Sequence, residues 1–364
     1  MNKTVDFFHI RTHRVFGMAL LVMVGYATMG MQTAGGATAV SRIFGAVPLV
    51  AQGESDTALS IPMKVPAVFR GAVGSVGSAI TLAGAPNLGE DQFVYSEGIQ
   101  PRTFYLFFES GSLAGRHFRI TGNTSSTISV DDPNGELVGA AADDIVAVHP
   151  YWTLATLLSS DQGLPVAAKA GERPVEVIIP AADSDGTNLS AEAVYYERDG
   201  AWRRVGQPFA STYDDTILEP DRSIIVRLNG ADDAPLVMTG EVVMSELAIP
   251  IRSRAEGAQD NLIGLNRPLD QSLDDLGLGG SNAFETTTDA DAIRDRLILY
   301  SAAPGQNKVP TDAFYFFNGA WRREGGDPAT DVGDTIIPAG QGFVIRTAGQ
   351  GSDTVSVWTH TFNP

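Results

Sequence analysis

The sequence predicts a mainly β protein: an N-terminal β barrel or sandwich followed by two tandem homologous β modules. Three observations predict it. Short apolar runs alternate with clusters of Gly, Pro, Asn, Asp and Ser, and the chain of 364 residues holds 39 Gly and 20 Pro. Asp199-Gly200 and Asn318-Gly319 each join two apolar-aromatic runs. Such dipeptides signal a hairpin because a type I′ turn needs positive φ at both central positions. Finally, the last half of the chain repeats itself without a gap at an offset of 119 positions.

The repeat is read residue by residue. Tyr196 corresponds to Tyr315, and Gly200-Ala201-Trp202-Arg203-Arg204 to Gly319-Ala320-Trp321-Arg322-Arg323. Asp215-Thr216-Ile217 corresponds to Asp334-Thr335-Ile336, and Arg227 to Arg346. Upstream, Leu154 and Leu157 correspond to Leu273 and Leu276. Two copies are too few for a solenoid, so the pattern predicts a pair of related modules. The expected division is residues 1–39 as a signal peptide, 40–149 as an N-terminal β domain and 150–245 as the first repeat. Residues 246–268 follow as a linker with a first strand, and 269–364 as the second repeat.

Within 40–149 the expected strands are Ala58–Pro62, Ala79–Leu82, Thr103–Phe108, His117–Ile120, Thr127–Val130 and Asp144–Val148. Strands at such intervals, with turn residues between them, suit a barrel or sandwich. Helical signals are few: Tyr151–Leu158, its counterpart Leu269–Leu276, and the start of Asp289–Leu299. In the second copy Pro338-Ala339-Gly340-Gln341-Gly342 reads as a glycine turn, whereas the first copy has Asp221-Arg222 there.

Lys3, Arg11 and Arg14 precede the apolar run Val15–Met31, and Ala37-Thr38-Ala39 supplies an A-x-A site. This is the order of a secretory signal peptide. The rival reading is an uncleaved anchor, but the run is short of the roughly 20 residues that span a bilayer. The expectation is export to the periplasm, outer surface or medium, with no membrane span after cleavage. The net charge is −18, and it becomes −20 once residues 1–39 are removed. Such a surface repels phosphate backbones and anionic lipids, which excludes nucleic acid as an expected partner. The chain has no Cys, which removes disulfides, thiolate catalysis and Cys-ligated metals.

Four elements carry a resemblance: the strand Asp56–Pro62, the stretch Thr103–Asn123, Asp144–Leu158 with Tyr151-Trp152-Thr153-Leu154, and the Gly340–Phe343 turn after Asn261-Leu262-Ile263. Through them the chain resembles an uncharacterised family of secreted, signal-peptide-bearing β-rich proteins of verrucomicrobial-type bacteria. The resemblance implies export and a β-rich body, and brings no activity or catalytic residues.

The candidate chemistry is sparse. His117, His149 and His360 are the only histidines after residue 39, and their spacing makes no zinc motif. No G-x-S-x-G is present, and Glu109 is the first acid to inspect for a hydrolytic pair. Asp183 and Asp185 lie in a D-x-D-G-x-N loop whose closely spaced oxygens suit Ca²⁺, although the EF-hand positions do not match. Trp202 and Trp321, with Tyr196, Tyr315, Arg204 and Arg323, form the candidate ligand surface, as aromatic platforms for sugar. In hairpins such aromatics more often pack across strands, so a structural role is the first expectation for them. An Arg on the same face as a Trp would stack as a cation–π pair.

The expected function is a non-catalytic structural or interaction role in the envelope or outside the cell. Carbohydrate binding is the alternative, and an extracellular hydrolase the second. Envelope components, polysaccharide or self-association are the expected partners.

Overall fold

The computed structural model describes residues 42–301 and 303–362. The segment read as an export signal lies outside the described residues. The described chain is mainly β, with 24 strands and one turn of α-helix. No helix among the described residues is long and apolar enough to cross a membrane.

The chain opens with β1 (Phe44–Ala51) and β2 (Ser55–Leu59) and then enters a closed barrel. The barrel strands are β3 (Phe69–Val76), β4 (Ile80–Leu82), β5 (Phe104–Phe108), β6 (His117–Asn123), β7 (Thr127–Val130) and β8 (Ile145–Pro150). They run in the order β3-β4-β7-β6-β5-β8, and β8 pairs with β3 to close the ring. Six strands enclose little space, and side chains such as Val73, Ile80, Leu106, Phe108, Phe118 and Val146 fill it. Strand β5 is buried at every position. Phe104, Leu106 and Phe108 point into the barrel, while Tyr105 and Phe107 join the core of the C-terminal sheet. Burial on both faces explains why this strand reads as one continuous apolar run.

After the barrel come β9 (Trp152–Thr153), the helical turn α1 (Leu154–Leu157), β10 (Val175–Pro180), β11 (Ala191–Arg198) and β12 (Ala201–Arg204). Then follow β13 (Ile217–Leu218), β14 (Ile224–Leu228) and β15 (Ala234–Glu241). Thr153 caps α1 in a capping box with Thr156. The first five-stranded sheet has the order β12-β11-β10-β14-β2. Strand β1 pairs along β15 as a ribbon, and β9 pairs with β13. So β1 and β2, expected within an N-terminal domain of residues 40–149, hydrogen-bond to strands beyond the barrel. Residues 69–150 alone form the barrel.

The remaining strands are β16 (Leu247–Ser253), β17 (Gln259–Ile263), β18 (Gln271–Ser272), β19 (Arg296–Tyr300) and β20 (Pro310–Phe317). The last four are β21 (Ala320–Arg323), β22 (Ile336–Ile337), β23 (Phe343–Thr347) and β24 (Thr354–His360). The second five-stranded sheet has the order β17-β23-β19-β20-β21, with a β16–β24 ribbon and a β18–β22 pair beside it. Read from the hairpin end, both sheets have the same order. Strands β11 and β20, and β12 and β21, lie 119 positions apart. Leu269–Leu276 is not helical but holds β18 and the turn that follows it, and the start of Asp289–Leu299 is a turn that leads into β19.

The two hairpins use the expected turns. Asp199 and Gly200 have φ of 53° and 71°, and Asn318 and Gly319 have 50° and 76°. Each sheet packs one face on its own apolar core. Trp202 anchors the first with Tyr195, Val177 and Val226, and Trp321 the second with Phe314, Leu297 and Ile345.

Candidate ligand-binding cleft between the two sheets

Alternation along the strands leaves each five-stranded sheet with a second face. In the first sheet Val177, Tyr195 and Val226 point into the core, so Ile178, Val194 and Ile225 point the other way. In the second sheet Leu262 and Val344 do the same opposite Ile263 and Ile345. These second faces line a cleft of about 460 Å³ between the sheets. Asp56, Arg227, Asp260, Tyr300, Asn307 and Lys308 supply its polar rim. A neighbouring hollow of about 290 Å³ shares Asp56, Ala58, Tyr300 and Lys308 with it.

The rim is built twice. On β14, Arg227 grips Asp56 of β2 with two hydrogen bonds, of 2.6 and 2.8 Å. On β23, Arg346 grips Asp260 of β17 at 2.6 and 2.9 Å. Each pair is completed by an asparagine from the opposite sheet's loop. The Asn307 backbone N–H donates to Asp56 at 2.7 Å, and Arg227 donates to the Asn307 side-chain oxygen at 2.9 Å. The Asn188 N–H donates to Asp260 at 2.7 Å, and Arg346 reaches the Asn188 oxygen at 3.4 Å. Both asparagines are left-handed, with φ of 53° and 50°, a conformation Asn tolerates better than most residues. Hydrogen bonding to the carboxylates is the main cause of the raised pKa of Arg227 and Arg346.

Gly342 shows why the two turns differ in sequence. A Cβ there would lie 2.5 Å from the Cβ of Ser223, the residue 119 positions earlier. The two turns meet at this point, and only one of them has room for a side chain.

Lys308 is the charged group of the rim without a carboxylate. Its Nζ donates to the Ser301 carbonyl at 2.9 Å and to Gln52 Oε1 at 3.2 Å, and no described carboxylate lies within ion-pair distance. Partial burial lowers its pKa, against the pull of Asp56. Desolvation raises that of Tyr300, with Asp260 adding to it.

The aromatic platform expected from the sequence is not exposed. Trp202 and Trp321 retain 2% and 1% of their surface and lie in different cores, so neither offers a ring face to a sugar. Tyr315 is buried as well, while Tyr196 is half-buried beneath the Arg173 guanidinium. Arg204 donates to the Glu192 carbonyl, and Arg323 pairs with Asp312. The hairpin arginines Arg198 and Arg203 stack over Phe209 rather than over Trp202. The carboxylates proposed for Ca²⁺ face guanidinium groups: Asp183 meets Arg222 at 3.1 Å, and Asp185 meets Arg252 at 3.1 Å.

Glu109 lies in a second polar cluster, where the barrel meets the rest of the chain. Arg70 on β3 donates to both Glu109 oxygens at 2.6 and 2.7 Å, and to Glu241 at 2.8 Å. Glu241 also accepts from the Ala67 N–H at 2.9 Å. Nδ1 of His149 contacts the Val65 carbonyl at 2.8 Å; a carbonyl only accepts, so Nδ1 carries the proton. Burial, then the charge of Lys64, lowers the His149 pKa well below the usual range. The Lys64 ammonium lies over the Phe107 ring without a hydrogen-bond partner, and burial depresses its pKa strongly. Oxygens of Glu109 and Glu241 and a nitrogen of His149 lie within 4.8 Å of one another, but Arg70 already occupies both carboxylates. No sequence motif announces this cluster, because its members come from β3, the residue after β5, β8, β15 and the crossing before β3.

The fold and cleft define a mainly β protein with a small packed barrel and two five-stranded sheets that share a cleft. No family model matches the chain, and no curated protein or solved structure matches it.

Proposed function

We propose that the chain is an exported, non-catalytic binding protein made of two homologous modules, with the cleft between their sheets as its ligand site. The first module comprises residues 44–59 and 152–241, and the second residues 247–360. The barrel is inserted in the first, where the second has only residues 264–270. Equal strand order, the 119-residue offset and the reciprocal asparagine contacts support this reading.

The observation that carries the function is the chemistry of the cleft. Its walls are aliphatic, its volume falls within the range of small-molecule sites, and Lys308 is its unpaired cation. Asp56 and Asp260 are held in bidentate pairs, which suits them to shaping the site rather than to moving protons. The matching ligand has an apolar body and one anionic group. Export further predicts that the protein collected outside the cytoplasm begins at Val40.

Anilinonaphthalene sulfonate has both features and reports its own binding by fluorescence. We expect one bound probe per chain, displaced by medium-chain carboxylates. Lys308→Gln and Ile225→Glu should each weaken binding by about tenfold, an effect of about 1.4 kcal/mol. Absence of saturable binding, or binding indifferent to both substitutions, would overturn the assignment.

A further inference from the structure

His117 begins β6 of the barrel, and Glu219 and Asp221 lie in the turn between β13 and β14. Their ligand-capable atoms lie within 4.8 Å of one another, and His117 Nε2 is 3.6 Å from a Glu219 oxygen. Arg222, next in sequence, spends its side-chain hydrogen bond on Asp183, and its charge acts on Asp221 and Glu219 through space without an ion-pair contact to either. His117 and Asp221 also line a small hollow, of about 20 Å³, together with Asn266.

Asn266 supplies the second observation. It is 3% exposed, and its Nδ2 donates to the Ile61 carbonyl at 2.6 Å. Its Oδ1 is buried without any donor. A buried acceptor in that state calls for a hydrogen-bond donor or a cation. Lys64 lines the same hollow, and its amine, like the Asn266 oxygen, has no hydrogen-bond partner.

We infer that the junction of barrel and modules binds a divalent cation of the Zn²⁺ or Mn²⁺ type through His117, Glu219, Asp221 and the amide oxygen of Asn266. One imidazole nitrogen with two carboxylates and an amide oxygen suits these ions better than Ca²⁺, which takes six to eight oxygens. The ion ties β6 to the turn beside β14. That turn in turn touches the second module, since the Gly264 N–H donates to the Asp221 carbonyl at 2.9 Å. A metal clip of this kind links three parts of a chain that has no cysteine to do so.

The test uses the full chain, stripped with EDTA and dialysed. Titration calorimetry with ZnCl₂ and MnCl₂ should show one ion per chain for at least one of them, with the unfolding midpoint raised by several degrees in its presence. Glu219 is half-buried at the surface, so Glu219→Gln leaves the fold intact. It should weaken the ion by tenfold or more, and Glu219→Gln with Asp221→Asn should abolish the rise in midpoint. Circular dichroism of the metal-free variants checks their folding. Failure of both ions to bind would overturn the site, as would binding that survives the double substitution or affinity for Ca²⁺ alone.

Discussion

Asn188 and Asn307, separated by 119 positions, each reach across the cleft to close the arginine–aspartate pair of the sheet they do not belong to. The exchange is reciprocal down to the backbone. Asp56 N–H donates to the Gly305 carbonyl and Asp260 N–H to that of Gly186, both at 2.9 Å. A loop from either sheet therefore sets the position of the other sheet's ion pair, and with it the width of the cleft. Asn307→Gly should keep the left-handed turn while losing the side-chain bond. Asn307→Ala should lose the bond and add backbone strain. We expect costs of about 1 and about 2 kcal/mol, read from urea midpoints. Equal costs would show that the side-chain bond alone matters.

The two ion pairs differ in burial, so their loss should differ too. Asp260 has 2% of its side chain exposed, against 12% for Asp56. Arg346→Ala strands the more deeply buried carboxylate and should cost about 3–5 kcal/mol. Arg227→Ala should cost less, about 1–3 kcal/mol, because water reaches Asp56 more readily. Chemical denaturation of the two variants under one condition decides the order.

Much of this fold is written in local pattern. Asp199-Gly200 and Asn318-Gly319 announce the hairpins because their dihedral demand is local. The alternation of His117–Ile120 and Thr127–Val130 announces two barrel strands for the same reason. Strands β1 and β3 are silent: Pro48 interrupts the first, and Gly71 and Gly74 dilute the second. The partner of β2 is hidden for another reason. Its ladder to β14 crosses the whole barrel, and no local pattern encodes a pairing at that separation. The cleft was unreadable because Ile178, Ile225 and Val344 look like ordinary apolar strand residues. Only the meeting of two sheets makes them a site.

The buried tryptophans give a direct check on the cores. Trp202→Ala and Trp321→Ala should each cost about 3–5 kcal/mol, and Phe substitutions less. Polysaccharide should leave the fluorescence of these two tryptophans unchanged, since neither indole is accessible. A spectral shift on adding sugar that disappears in Trp202→Phe would contradict this placement.

His360 couples stability to acid. Nε of Arg267 donates to its Nδ1 at 3.3 Å, so the other ring nitrogen carries the proton and donates to Gln271 Oε1 at 3.2 Å. Burial, then the Arg267 charge, lowers the His360 pKa to about 4. A histidine held neutral when folded contributes stability above its unfolded pKa of about 6.5, and loses it as pH falls toward the folded value. The loss amounts to about 3 kcal/mol at most. His360→Gln keeps polar reach without the titration, so its stability should fall less between pH 6.5 and 4 than that of the parent chain. His149, also depressed, acts in the same direction and leaves part of the slope in place.

Lys64 carries the opposite expectation at high pH. Its folded pKa lies well below the value of about 10.5 in the unfolded chain, so the unfolded state holds the proton more tightly across the interval between the two. Stability contributed by this group is lowest below its folded pKa and recovers as pH rises from there toward 10.5. Its amine has no hydrogen-bond partner to lose, and its neighbour is the face of Phe107. Lys64→Met replaces an unpaired buried amine by an apolar chain of similar length. The variant should be more stable than the parent at pH 7 by about 1–3 kcal/mol. The gap should narrow as pH rises toward 10.5, where the unfolded chain too begins to release the proton. Denaturation midpoints at pH 7 and pH 10 measure it, and a destabilised variant at pH 7 would mean that the ammonium makes a favourable interaction in the folded chain.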